Sequence, residues 1–335
     1  MAFTLPEIHE ALARRYPDRE AIVTPSRRLR WQAFVERSRR LAQVLHRAGL
    51  GCLRERSALA PWESGQDHLG IYLYNCPEYL EAMAAAFRAR VAPFNVNYRY
   101  VDDELLYLFR DAQVKAIVYH AAFAPRLARL LRQLPEVRLL LQVADDSGEP
   151  LLPGALDYEA ALAGADPTPL PLTPSPDDLY IVYTGGTTGR PKGVLCRQED
   201  IFFAALGGRM PGGEPVHSIE ELVERAEVGA LLRILPAPPF MHGAGHWTAF
   251  MVLHQGGTIV LPSAVRRLDP DDIWRTIERE QVTSLSIVGD AFARPLLDQL
   301  ERGRYELSSL RIIGSGGALL SPSIKQALLE RLPGV

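Results

Sequence analysis

Apolar and polar positions along this chain repeat with two periods, one helical and one extended. Ile8, Ala11 and Leu12 fall at helical spacing and predict a helix over residues 7–15. Ala21–Val23 and Leu29–Trp31 read as a small hairpin across Pro25-Ser26. Phe34–Ala48 is a stronger amphipathic helix, with Leu41, Val44 and Leu45 on one face and arginines on the other. Gly49 and Gly51 end it. Leu69–Leu73 reads as a buried strand, and Asn75-Cys76-Pro77 opens a helix that runs to about Ala89. Pro77 suits its first turn and Glu78 suits its dipole. After Ala92–Tyr100, a helix starts at Asp102-Asp103-Glu104 and a strand at Lys115–Tyr119.

Further along, Tyr180–Tyr183, Gly193–Leu195, Leu231–Leu235, Gly256–Leu261, Thr283–Val288 and Leu310–Ile313 are strand-like. Asp269-Pro270-Asp271-Asp272 caps a helix with Ile273, Trp274 and Ile277 on its apolar side, and Ser321-Pro322 opens another through Leu332. This alternation predicts an α/β fold with mainly parallel sheets flanked by helices. The Pro-, Ala- and Asp-rich stretch Leu151–Pro176 reads as a connector, so two packed subdomains are expected at 1–170 and 171–335.

Composition narrows the function classes. A chain of 335 residues, 47% hydrophobic and 23% charged, is that of a globular protein with two cores. The net charge of −3 gives no footprint for nucleic acid. Cys52, Cys76 and Cys196 are scattered, without zinc or disulfide spacing, so no metal site and a reducing cytoplasm are expected. Glu7 and Glu10 are unlike a secretory signal, and no apolar run is long enough for a membrane span.

The most informative stretch follows the strand Tyr180–Tyr183. Thr184-Gly185-Gly186-Thr187-Thr188-Gly189-Arg190-Pro191-Lys192-Gly193 has almost no side-chain bulk. Glycines let main-chain N–H groups approach an anion closely. Thr184, Thr187 and Thr188 add hydroxyl donors and Lys192 adds a positive charge, a composition that suits a polyphosphate. It is not the P-loop of NTPases, where a helix starts at the lysine. Pro191 before Lys192 and Gly193 after it point to a loop between two strands.

The run Tyr183–Val194 resembles the phosphate loop of the adenylate-forming acyl-CoA synthetases. Its Gly185-Gly186 pair is similar to the version in actinobacterial-type fatty-acyl and steroid-acyl CoA ligases, as is the later run Arg197-Gln198-Glu199-Asp200. The segment Pro93–Tyr100 resembles the same family. Arg90 departs from it, standing where relatives usually carry Gly, and reads as a changed helix cap; Cys196 departs where those ligases commonly carry Trp.

The resemblance implies roles residue by residue. Thr184, Gly185, Gly186, Thr187, Thr188, Gly189 and Lys192 would hold the β- and γ-phosphates of ATP. His242, in Phe240-Met241-His242-Gly243, matches the family histidine near the substrate carboxylate, so Lys192 and His242 are the catalytic candidates. Phe240, Met241, His242 and Trp247 are candidate walls of an acyl pocket, and Gly316, Gly317 and Ala318 match the adenine segment. The implied reaction joins a lipophilic carboxylic acid, fatty or sterol-derived, to coenzyme A through an acyl-adenylate, using ATP and Mg2+. Transfer to a carrier protein, or a non-catalytic nucleotide- or acyl-binding module, are the alternatives. A homodimer is left open.

The stretch 197–230 is an insertion, readable as a lid or as inert surface. Ser218-Ile219-Glu220-Glu221 within it is a capping-box pattern. The family's Gly-Tyr-Gly-x-Thr-Glu segment, its ribose-binding Asp and its adenylating Lys have no match here. The chain is therefore expected to be the N-terminal part of a longer synthetase and inactive by itself.

Overall fold

The computed structural model describes residues 3–185, 189–209 and 213–335. They divide into two compact units, residues up to Glu10 with Ala33–Phe202, and Ala11–Gln32 with Phe203–Val335.

Among the described residues, the first unit holds a seven-stranded sheet. Its order is Leu156–Asp157, Leu139–Val143, Val114–His120, His68–Tyr72, Ala92–Asn95, Leu179–Thr184 and Lys192–Arg197. Every neighbouring pair is parallel except the last. The central strands are buried on both faces, which is why they read as continuous apolar runs. Tyr72, Phe94, Phe109, Tyr119, Leu127 and Ile181 anchor their core. Helix Pro77–Arg88 has Pro in its first turn and is buried along nearly its whole length. Helix Asp102–Asp111 starts where the Val101 N–H donates to the Glu104 carboxylate at 3.0 Å.

The second unit holds, among the described residues, a six-stranded sheet in the order Ile312–Ser315, Ser284–Ile287, Arg233–Pro236, Thr258–Val260, Glu20–Val23 and Arg28–Arg30. All pairs are parallel except the terminal hairpin. Its core gathers Leu235, Val260, Trp274, Ile277, Leu285 and Ile287. Asp269 caps helix Pro270–Glu280, its carboxylate accepting the Asp272 N–H at 3.2 Å.

The mainly parallel α/β architecture agrees with the pattern, but three features differ from it. The expected division after residue 170 assigns Leu179–Arg197 to the second subdomain, whereas both strands hydrogen-bond into the first sheet. The hairpin Glu20–Arg30 conversely joins the second sheet, through Ile22 opposite Ile259 and Val23 opposite Val260. Helices Gln198–Ala205 and Gly243–His254 are not announced by periodicity. The second buries Gly245, His246, Ala249, Phe250, Val252, Leu253 and His254, so it has no single apolar stripe to read.

Arg90 sits at φ +54°, the left-handed position in which Gly ends a helix at least cost. Its guanidinium compensates by binding Asp178 at 2.9 Å and Glu55 at 2.7 Å. The helix-cap reading of this residue thus gains a second role, fastening the start of strand Leu179–Thr184.

The 197–230 stretch is tied down within the second unit from Phe203 onward. Tyr16 donates its hydroxyl to the Val223 carbonyl at 2.9 Å, and the Arg19 guanidinium donates to the Ala226 carbonyl at 2.6 Å. Helix Ile219–Arg225 is capped by Ser218, whose hydroxyl accepts the Glu221 N–H at 3.1 Å. The Glu221 carboxylate accepts from the His217 N–H at 2.7 Å, one residue earlier than the ordinary capping box requires. Met210, Pro211 and Gly212 lie outside the described residues.

Candidate active site

The residues singled out in the sequence are carried on both units, the Gly/Thr/Lys stretch on the first and the remainder on the second.

Strands Leu179–Thr184 and Lys192–Arg197 run antiparallel in full register, from Leu179 opposite Arg197 to Thr184 opposite Lys192. Thr184 and Lys192 therefore stand at the tip end of a hairpin, and no helix starts at the lysine. The tip lies at the carboxyl end of a strand within a parallel sheet, where open α/β sheets take ligands. Thr184, Gly185, Gly189 and Lys192 are exposed there; Gly186, Thr187 and Thr188 lie outside the described residues.

The legs of the hairpin are closely fitted. A Cβ on Gly193 would stand 2.8 Å from the Tyr183 ring, so only glycine lets the ring lie against the opposing strand. The Tyr183 hydroxyl donates to Asp111 at 2.7 Å. Burial, reinforced by the Asp111 carboxylate, pushes this phenol far above its usual range, so it remains the protonated donor. The Arg190 guanidinium lies 4.8 Å over the ring of Tyr107. Asn95, 4% exposed, accepts the Tyr183 N–H at 2.8 Å and donates to the Tyr183 carbonyl at 3.0 Å.

Asn95, Asp111 and Tyr107 carry no role in the sequence reading. The available signal was Asn95, a polar residue closing the otherwise apolar strand Ala92–Asn95. A cavity of about 620 Å³ also borders this hairpin at Tyr183 and Gly193, but His68 and Lys115 place it near the amino ends of the parallel strands, away from the tip.

On the second unit, strands Arg233–Pro236, Ser284–Ile287 and Ile312–Ser315 are adjacent and parallel. The segments leaving their carboxyl ends gather at one end of the sheet. The Ala237 N–H bonds to the Ser286 carbonyl at 3.1 Å and the Gly316 N–H to the Ile287 carbonyl at 3.2 Å. The Ser315 hydroxyl accepts the Gly289 N–H at 3.0 Å. This end thus receives both the stretch leading to His242 and the turn Gly316-Gly317-Ala318, in which Gly317 has φ +82°. Gly316, Gly317 and Ala318 are exposed.

His242 is exposed at the N-cap of helix Gly243–His254. Trp247 is half-buried, its ring packed so closely on Gly243 that a Cβ there would stand 3.1 Å away. Phe240 and Met241, expected beside them, are fully buried, and the Phe240 carbonyl bonds to His246 Nδ1 at 2.6 Å. His246 and His254 are themselves buried, and desolvation lowers each to about 4. Each remains a neutral imidazole whose Nδ1–H donates to a carbonyl, Phe240 for one and Leu206 for the other.

Among the described residues, no group of three or more His, Cys, Asp and Glu side chains is placed to hold a metal ion. No helix of the described chain is long and apolar enough to cross a membrane.

Residues 9–335 match the model of a family described as AMP-binding enzyme. The chain is 52% identical to the medium-chain acyl-CoA ligase Mig of Mycobacterium avium, over 99% of this chain and 60% of that protein. It is 37% identical to a 3-oxocholest-4-en-26-oate–CoA ligase of Rhodococcus rhodochrous, over 100% of this chain and 59% of that protein. The chain therefore spans about 60% of the length of these curated relatives. Among solved structures, the N-terminal domain of FACL13 from Mycobacterium tuberculosis superposes with a TM-score of 0.78 at 20% identity, covering 99% of this chain and 74% of that one, a likeness of fold. Matched from residue 9 to residue 335, the chain belongs to the AMP-binding enzyme family.

Proposed function

We propose that the protein takes part in ATP-dependent activation of a lipophilic carboxylic acid, making an acyl-adenylate and then an acyl-CoA. The observation that carries this reading is the Gly/Thr/Lys loop at the carboxyl end of a parallel strand, with Lys192 fixed opposite Thr184. In the first half-reaction a carboxylate oxygen attacks the α-phosphorus of Mg–ATP, and the bond to the bridging oxygen breaks to release pyrophosphate. In the second, the coenzyme A sulfur attacks the acyl carbon, and AMP leaves with the carboxyl oxygen it had gained. The first half brings two anions together. Loop N–H groups, Thr184, Thr187, Thr188 and Lys192 offset the charge that collects on the departing pyrophosphate.

His242 lies on the acid side of this scheme, and Gly316, Gly317 and Ala318 take the adenine. The medium-chain acyl-CoA and steroid-acid CoA ligases among the relatives support a lipophilic acid and coenzyme A as acceptor. The test is to give the intact protein ATP, magnesium and coenzyme A with medium-chain fatty acids and steroid 26-carboxylic acids. Acid-dependent AMP and the matching thioester are expected. AMP without thioester would redirect the acyl group to a carrier protein, and nucleotide binding without AMP would leave a binding module.

Trp247 is half-buried and so is the large apolar part of the proposed acyl wall that reaches the surface, since Phe240 and Met241 are buried. Trp247→Ala is expected to shift the preferred acid toward bulkier members and to leave the KM for ATP within about twofold, because only acyl contacts are removed. Relative kcat/KM across an acid series checks this. Equal losses for all acids together with a lower Tm would assign Trp247 to packing alone.

A further inference from the structure

Tyr183 is the last buried residue before the phosphate loop, and the protein holds it from three directions. Strand Ala92–Asn95 runs beside Leu179–Thr184, in register at Phe94 and Ile181, and then ends. Where the next main-chain rung would stand, the Asn95 amide takes its place, bonding both the N–H and the carbonyl of Tyr183. From one face, Asp111 accepts the Tyr183 hydroxyl. From the other leg of the hairpin, Gly193 admits the Tyr183 ring. One turn before Asp111 on the same helix, Tyr107 stacks under Arg190, so a single helix face touches the hairpin just before the loop and near its end.

We propose that Asn95 and Asp111 are positioning residues that act through Tyr183 to hold the phosphate loop ready for the terminal phosphates of ATP. This rests on the nucleotide-activating reading above. N–H donors stabilise a leaving pyrophosphate only when they are already aimed at it. The legs must therefore be fixed by groups outside the loop. A side-chain amide in place of a main-chain rung fixes the height of Tyr183 without extending the strand into the space the ligand needs. The Asp111 bond fixes the rotation of the leg about its own axis.

Three substitutions separate positioning from stability. Asn95→Leu removes both amide bonds at similar volume, Asn95→Asp keeps the acceptor and loses the donor, and Tyr183→Phe removes only the hydroxyl while leaving the ring over Gly193. In the intact protein, Asn95→Leu is expected to lower kcat/KM for ATP in the adenylation half-reaction by about 10–100-fold, the scale for misaligned transition-state donors. Asn95→Asp and Tyr183→Phe should give smaller losses. Thioester formation from chemically supplied acyl-adenylate, which needs no β- or γ-phosphate, should stay within about twofold.

Affinities for ATP and AMP, measured by calorimetry, give a readout that does not depend on turnover. ATP should weaken and AMP should not, since AMP lacks the phosphates the loop would hold. Parallel loss of both half-reactions, equal weakening of ATP and AMP, or wild-type behaviour of all three variants would overturn the proposal. If Asn95→Leu does not fold, Tyr183→Phe carries the test. Absence of turnover in the wild type with the ATP-over-AMP difference intact would sink the enzymatic reading and leave the positioning role standing.

Discussion

Lys192→Ala is expected to lower acid-dependent ATP–pyrophosphate exchange by roughly 10–1000-fold, the scale for removing one charged or oxyanion donor. Lys192 opens the second leg of the hairpin, opposite Thr184 and next to the exposed tip. As pyrophosphate leaves, negative charge grows on the oxygens that a cation there would meet. The benefit is larger in the transition state than with bound ATP, so kcat should fall more than the affinity for ATP. Because the side chain is exposed, its loss should change Tm by only a few degrees, within the range of ordinary surface substitutions. Unchanged exchange in the variant would remove Lys192 from the chemistry.

Acidification from pH 6.5 toward 4 is expected to destabilise the second unit through its buried histidines. His246 and His254 are lowered from 6.5 to about 4 by burial. The unfolded chain takes up a proton at each below pH 6.5, while the folded chain refuses it until about pH 4. Their neutral burial therefore costs no stability above pH 6.5, and stability is lost as the pH falls from there toward 4. The linkage amounts to about 2 kcal/mol for each histidine at pH 5, rising to about 3 kcal/mol near pH 4. Denaturant midpoints at pH 7.5 and pH 5 check this. His254→Asn, which can still donate to the Leu206 carbonyl without titrating, should remove about half of the difference. Equal midpoints in the wild type, or a full pH response in His254→Asn, would contradict the account.

Much of the fold could be read from the chain because its signals are local. The strands Val114–His120 and Leu179–Thr184 are short apolar runs, the caps at Ser218 and Asp269 are polar residues beside helical spacing, and the loop is defined by its own composition. Pairing across long separations was not legible. Nothing near Val23 shows that it lies beside Val260, and nothing near Asp178 shows that Arg90 grips it. Helix Gly243–His254 was hidden because it is apolar around its whole circumference. The same limit applies to the candidate site. Thr184 and Lys192 could be picked out from sequence, but Asn95 and Asp111 act on the loop from 88 and 72 residues away from Tyr183. Phe240 and Met241 look like pocket walls in sequence and are buried in the fold, since an apolar residue reads the same whether it faces a ligand or a core.

In the proposed reaction the loop serves attack of a carboxylate on the α-phosphorus of ATP. Exchange of labelled pyrophosphate into ATP by the intact protein, without coenzyme A and with one lipophilic acid at a time, tests it most directly. Exchange is expected to require the acid, not to require coenzyme A, and to collapse in Lys192→Ala. Exchange with no acid present, or no exchange with any fatty or steroid acid from a protein that binds ATP, would contradict it.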